Sequence, residues 1–385
     1  MQISQREGAL CALVLLALLG LEAVERFGWG PRVIAAPVGD IVRTAQNRDL
    51  NQEAREELTG GYYEGLLNEG SRVSSMNALI TGSRTTGWTT GAVRPERRIR
   101  KDFLYYDYAP GLDLPDYDDM QLRLITNSHG MADREYPEER TPRTRRIAVL
   151  GDSITRGQGA PFGTSFEALL EERLNERHLA TNLVGYELLN FSVSGYRITQ
   201  TVEVALERAP AFKPDVYMVA LSDLSVFRQW GHHLGQLISD GIDLKYPYLK
   251  QLARDARLTP NDPFGTIDAK LARYRLPTIR WVLTEISAQA ARDGAELIVV
   301  LVPTVTDPRE LQEDFLGVRE ILADLHISTI DLLGTFRGMD DLNPYRVTEK
   351  NRHPNELGHR RLFEELYRQA IANPEILTKI TGVDR

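Results

Sequence analysis

"RIAVLGDSITRGQGA", residues 146–160, decides how the chain is read. Four apolar residues, Ile147 to Leu150, run straight into Gly151-Asp152-Ser153, and Thr155, Gly157 and Gly159 follow at once. A short apolar run closed by turn residues is the pattern of a strand buried on both faces. Four later runs share it: "ELLNFSV" (187–193), "DVYMVALS" (215–222), "ELIVVLVP" (296–303) and "ISTIDL" (327–332). Helical patterns lie between them. "TSFEALLEERLNERH" (164–178) opens with the capping residues Thr164 and Ser165, "LPTIRWVLTEISAQAARDG" (276–294) ends on a glycine, and "NELGHRRLFEELYRQAI" (355–371) closes the series. This alternation predicts an α/β fold, three layers α/β/α around a parallel sheet of about five strands. Residues 224–275 read as a long insertion after the third strand, helical in part.

In such a sheet, ligands bind beyond the carboxyl ends of the strands. Ser153 follows the first strand, where a helix N-terminus supplies backbone donors. Turn residues alone would also explain a plain strand-to-helix connection there. The second strand leads to Gly195 in "NFSVSGY" (190–196), and the third to Ser222 and Asp223 in "ALSDLS" (220–225). Before the last helix, "NRHPNELGH" (351–359) fixes His353 in an extended link, because Pro354 follows it and Asn355 can cap the helix. A serine becomes a nucleophile at neutral pH only beside a base, and imidazole is the usual one. The negative charge then developing on an attacked carbonyl needs donors, which the N–H groups of Ser153 and Gly195 and the Ser222 hydroxyl would supply.

These blocks, in this order, resemble the SGNH or GDSL-type hydrolases, named for the Ser of a GDS motif, a Gly, the Asn of a G-x-N-D motif and a His. "GDSITRGQG" matches the first block, Gly195 the second and His353 the last, and "TNSHGMADREYP" (126–137) resembles a lead-in found in bacterial extracytoplasmic members. The resemblance spans about 126–372 and departs at two places. Ser222 stands where the family has asparagine, and Lys350 stands where it has the aspartate three residues before the histidine. A lysine cannot accept the imidazole N–H, which leaves Glu349, a backbone carbonyl or the Asn351 side chain to orient His353. The resemblance implies a serine esterase acting through an acyl-serine on O-acyl, often O-acetyl, groups of a carbohydrate or envelope glycan. Acyl transfer by the same serine, or a degenerate domain that only binds or scaffolds, are the alternatives.

No Walker-type or dinucleotide glycine motif occurs, so no cofactor is implied. His232-His233 lacks accompanying carboxylates or cysteines and reads as no metal site. His129, His178 and His326 read as surface or boundary residues, and His359 as capping or packing within the last helix. A net charge of −8 argues against nucleic acid as partner, and the basic runs 94–101 and 143–146 read as solvated surface.

The N-terminal run "GALCALVLLALLGL" (8–21) follows Arg6 and, extended to Phe27, approaches the length of a spanning helix. Within residues 1–30 it reads as an uncleaved membrane anchor, with a cleaved signal peptide as the rival. It implies the lipid bilayer as partner and an extracytoplasmic, periplasmic hydrolase domain. The only cysteine, Cys11, lies in this run, so the rest of the chain is compatible with an oxidising compartment. Residues 31–145 read as an irregular α+β extension, with a helix expected over 51–68, and 146–375 as the hydrolase domain.

Overall fold

Each sheet strand puts successive side chains on opposite faces, and the sequence is apolar at both. The structure is a computed structural model that describes residues 96–116, 122–177, 183–227 and 229–383. The run 8–27 with Cys11, the expected helix over 51–68 and His178 lie outside those residues. Among the described residues no helix is long and apolar enough to cross a membrane.

Four three-residue strands come first, paired antiparallel: β1 (Arg97–Ile99) with β2 (Tyr106–Tyr108), and β3 (Asp113–Pro115) with β4 (Arg123–Ile125). The main sheet holds β5 (Thr144–Leu150), β6 (Gly185–Asn190), β7 (Val216–Ser222), β8 (Glu296–Val302) and β9 (Ser328–Asp331). All five are parallel, in the order β6-β5-β7-β8-β9. The expected fold class is therefore the observed one. β6 is shorter than the run that predicted it: after Phe191 N–H bonds Val149 O, the chain leaves the ladder toward Gly195.

Helices connect the strands: α1 (Ser153–Arg156) and α2 (Phe166–Arg177) after β5, and α3 (Ile198–Glu203) after β6. Between β7 and β8 come α4 (Asp223–Val226), α5 (His232–Ser239), α6 (Pro247–Asp255), α7 (Phe264–Leu271) and α8 (Arg275–Asp293). They are followed by α9 (Pro308–Gln312) and α10 (Leu316–Asp324), then α11 (Glu356–Ala372) and α12 (Pro374–Thr381) beyond β9.

The alternation builds two cores. Ile147, Val149, Val216, Met218, Ile298 and Val300 face α2 and α11, where Phe166, Leu170, Leu362 and Leu366 meet them. Ala148, Leu150, Tyr217, Val219, Val299 and Leu301 face the other side, against Val202 of α3 and Ile279, Val282 and Ile286 of α8. Leu234, Leu249 and Ile267 join the insertion to this second core, and so do Phe103, Leu104, Tyr106 and Tyr108 from the leading segment.

Two expectations about charge need correction. The run 94–101 is not simply solvated: Arg98 grips buried Asp107 with two bonds of 2.8 Å, and Arg100 Nη1 joins it at 2.9 Å. Arg146 of the run 143–146 is wholly buried. It bonds Glu187 at 2.6 Å and the carbonyls of Pro137, Glu138 and Phe212 at 2.5, 2.8 and 2.9 Å. A guanidinium with its donors satisfied in this way can be enclosed where an isolated charge could not.

Candidate active site

The turn after β5 is shaped by its own side chains. Asp152 is extended and caps α1, its Oδ1 accepting the Ile154 N–H at 3.0 Å. Ser153 is thus the first residue of a helix, where backbone N–H groups lack intrahelical acceptors. At Gly159, φ is +91°, and a Cβ would lie 2.7 Å from the Pro354 carbonyl and 2.3 Å from Val347. The absent side chain is what lets the loop before α11 close over this turn.

That loop is tied on both sides. Val347 N–H bonds His353 O at 3.0 Å, and Val305 N–H bonds Arg352 O at 2.9 Å. Asn355 caps α11 on Gly358 N–H at 3.1 Å and holds the carbonyls of Pro344 and Arg346 through Nδ2. His353 emerges with Nε2 2.8 Å from Ser153 Oγ. Its Nδ1 lies 2.7 Å from Asn351 Oδ1, and the same Oδ1 accepts the His353 backbone N–H at 3.1 Å. A backbone N–H only donates, so the atom facing it is the amide oxygen. Nδ1 must then carry the imidazole proton, which leaves the Nε2 lone pair to accept the Ser153 hydroxyl proton.

Two residues expected at the site stand elsewhere. Glu349 does not orient His353: its side chain is exposed, and the short Asn351 amide two residues before the imidazole takes the place. Ser222 does not offer a third oxyanion donor. Its Oγ caps α4, accepting from Leu224 N–H at 3.1 Å and Ser225 N–H at 3.3 Å, while its one proton goes to Asp152 Oδ2. A hydroxyl with a single proton so placed has none left to give.

Gly195 lies in the turn beyond β6, beside the Ser153 turn, with φ +85°. The two turns are joined by Arg156 Nε to Ser194 Oγ at 2.9 Å, Ser194 Oγ to Gln158 Oε1 at 2.6 Å, and Asn190 Nδ2 to Thr155 O at 2.9 Å. Arg156 is itself paired at 2.8 Å with Asp116, both buried. Neither partner in this pair was legible in the sequence, because an arginine and an aspartate forty residues apart carry no spacing signal.

His359, His233 and His232 are engaged away from Ser153. His359 is fully buried in α11, accepts Phe166 N–H at 3.4 Å and stacks on the Phe166 ring, and burial pushes it down to about 3. His233 donates from Nε2 to Phe103 O at 2.7 Å and accepts the Thr199 hydroxyl at 2.8 Å, and burial lowers it to about 4. His232 turns away to Asp268 at 2.9 Å. Among the described residues no group of three His, Cys, Asp or Glu side chains is placed to hold a metal ion.

The lead-in 126–137 has its own device. Asp133 Oδ2 accepts Asn190 N–H at 2.9 Å, and Glu167 Oε1 accepts Asn190 Nδ2–H at 2.7 Å, so one asparagine bridges two carboxyls. Both line a cavity of about 470 Å³ that Ser153, Gly195 and His353 do not line. Burial raises Asp133 to about 7 and Glu167 to about 8, the Asp133 charge adding to the latter. A carboxyl raised on folding contributes stability fully present below its unfolded pKa, near 4, and lost as pH rises through the folded value. Thermal unfolding scans are therefore expected to show the melting temperature falling from about pH 5 to pH 8 and levelling above. For one proton the slope is about 1.4 kcal/mol per pH unit. Glu167→Gln, whose carbonyl can still accept from Ser165 and Asn190, is expected to flatten that slope. A wild-type profile already flat over this range would show that the pair ionises freely.

A serine hydroxyl donated to an imidazole at the carboxyl edge of a parallel sheet marks the class of serine hydrolases. The model of the GDSL-like lipase/acylhydrolase family matches residues 149–361, more than half of the chain, and the chain belongs to that family; it is a carboxylic ester hydrolase. Among solved structures the chain is similar to an acetylxylan esterase from Geobacillus stearothermophilus, at 16% identity and a TM-score of 0.40, over 58% of this chain and 93% of that one. It is similar to an α/β hydrolase from the metagenome of Lake Arreo, Spain, at 17% identity and a TM-score of 0.40, over 58% of this chain and 94% of that one. A two-domain esterase active on acetylated mannans matches at 12% identity and a TM-score of 0.40, over 63% of this chain and 51% of that one. Comparison with curated protein sequences gives no match.

Proposed function

We propose that the enzyme removes O-acyl groups, chiefly O-acetyl, from a carbohydrate or envelope glycan through an acyl-serine intermediate. The observation that carries the reading is the chain Ser153 Oγ–His353 Nε2, 2.8 Å, continued by Nδ1 to Asn351 at 2.7 Å. As Ser153 Oγ bonds the ester carbon, its proton passes to Nε2, and the carbonyl oxygen takes the negative charge. The N–H groups of Ser153 and Gly195 receive that oxygen. The tetrahedral species then expels the sugar alkoxide, which takes the proton back from Nε2. Water repeats the sequence on the acyl-serine, releasing the acid and restoring Ser153. The glycan substrate is the one the sequence blocks imply. With such a substrate the domain works outside the membrane, with 8–27 as anchor, and protease added to spheroplasts is expected to remove a C-terminal tag.

The test supplies an acetyl ester with and without oligosaccharide acceptors. Free acetate as the product in both cases is expected. Acetyl groups appearing on the acceptor would make the enzyme a transferase, in which a sugar hydroxyl replaces water in the second step. No acetate released from any acetylated glycan tried, with simple esters still cleaved, would sink the carbohydrate assignment.

A further inference from the structure

The peptide group joining Ser194 to Gly195 has two ends that point in opposite directions, as in every trans peptide. Its N–H end belongs to Gly195. Its carbonyl end, Ser194 O, accepts Arg97 Nη2 at 3.1 Å and the Tyr106 hydroxyl at 3.2 Å. The Arg97 guanidinium also lies over the Tyr106 ring, 4.1 Å from its centroid. The other polar groups of Ser194 are used as well: its N–H donates to Tyr108 Oη at 3.0 Å, and its Oγ is held by Arg156 and Gln158. A Cβ on Gly195 would sit 2.7 Å from Tyr106 Oη and 2.9 Å from Arg97 Nη2, so the clamp closes directly on this glycine.

From this geometry we propose that Arg97 and Tyr106 are positioning residues for ester hydrolysis: they fix and polarise the Ser194–Gly195 peptide so that the Gly195 N–H meets the developing oxyanion. The proposal rests on the reading of Ser153 as nucleophile. Donors on a carbonyl draw electron density toward its oxygen and leave the N–H of the same peptide a stronger donor, the more so in a low-dielectric interior. A guanidinium is always charged, and a charged donor polarises the carbonyl it meets more than a neutral one does. Such help has a use here, since Ser222 directs its proton to Asp152 and leaves the oxyanion with backbone donors.

The test compares full-length wild type with Arg97→Gln, Arg97→Lys, Tyr106→Phe and Ser153→Ala on p-nitrophenyl acetate. It adds inhibition by an alkylboronic acid, whose tetrahedral serine adduct carries an anionic oxygen. Arg97→Gln is expected to lower kcat about tenfold with KM changed by less than about twofold, and to weaken the boronate by a similar factor. Arg97→Lys, which can still bring a charged donor to Ser194 O but loses the flat stack on the Tyr106 ring, is expected to recover only part of the loss. Melting temperatures of the variants are expected to match wild type. Should Arg97→Gln fail to fold, Tyr106→Phe, with a two- to threefold loss expected, carries the same test. Unchanged kcat, or a fall in kcat with boronate affinity intact, overturns the proposal alone. Equal turnover by wild type and Ser153→Ala overturns the esterase reading and this proposal with it.

Discussion

Ser153→Ala and His353→Ala are each expected to lower kcat on p-nitrophenyl acetate by about 10³-fold or more, and the double variant by little beyond either single one. The two groups form one device, joined at 2.8 Å. Without the imidazole, the hydroxyl keeps a proton it loses only far above neutral pH; without the hydroxyl, the imidazole has nothing to activate. A thousandfold loss is about 4 kcal/mol of transition-state stabilisation. What survives would come from binding and from the backbone donors, which neither substitution removes. Steady-state rates of the three variants, corrected for spontaneous hydrolysis, decide the matter. Losses that multiply in the double variant would mean that Ser153 and His353 act separately, contrary to the contact between them.

Asn351→Ala is expected to cost about 10²-fold in kcat, and Asn351→Asp to match or exceed wild type. The amide oxygen holds the imidazole by two bonds, to Nδ1 at 2.7 Å and to the His353 backbone N–H at 3.1 Å. Removing it frees the ring to rotate and to take the other tautomer, in which Nε2 carries a proton and cannot act as base. Loss of the correct tautomer alone costs up to about 10⁴-fold in a serine protease, so 10² is a moderate figure for a site that keeps its loop. An aspartate of the same shape would keep both bonds and add a negative charge to favour the imidazolium formed in the transition state. Asn351→Ala should thus lower kcat where Asn351→Asp does not. If both lower it alike, Asn351 serves the loop rather than the imidazole.

The five strands and the turn at Ser153 were legible because burial on both faces of a parallel strand writes itself as an unbroken apolar run. His353 was legible because Pro354 and Asn355 fix the link before a helix. What orients the histidine was narrowed but not settled: Glu349, Asn351 and a backbone carbonyl all lay within reach along the chain. Only the path of the loop, with Glu349 turned to solvent, decides for Asn351. Ser222 was misjudged because a serine after a strand is equally a helix cap, and Asp152 across the turn claims its proton. Arg97, Tyr106 and Tyr108 were out of reach altogether. They lie 86 to 97 residues from Ser194, and no periodicity links residues so far apart.

The 200 residues between Ser153 and His353 also set a timetable. Strand β5 and its serine leave the ribosome long before the loop that crosses Gly159, and a chain folds from its N-terminal side at the pace of synthesis. Until His353 has emerged, the serine has no base, and the partly made enzyme is chemically idle. The ester-cleaving centre thus comes into being only when the loop that carries His353 closes over Gly159.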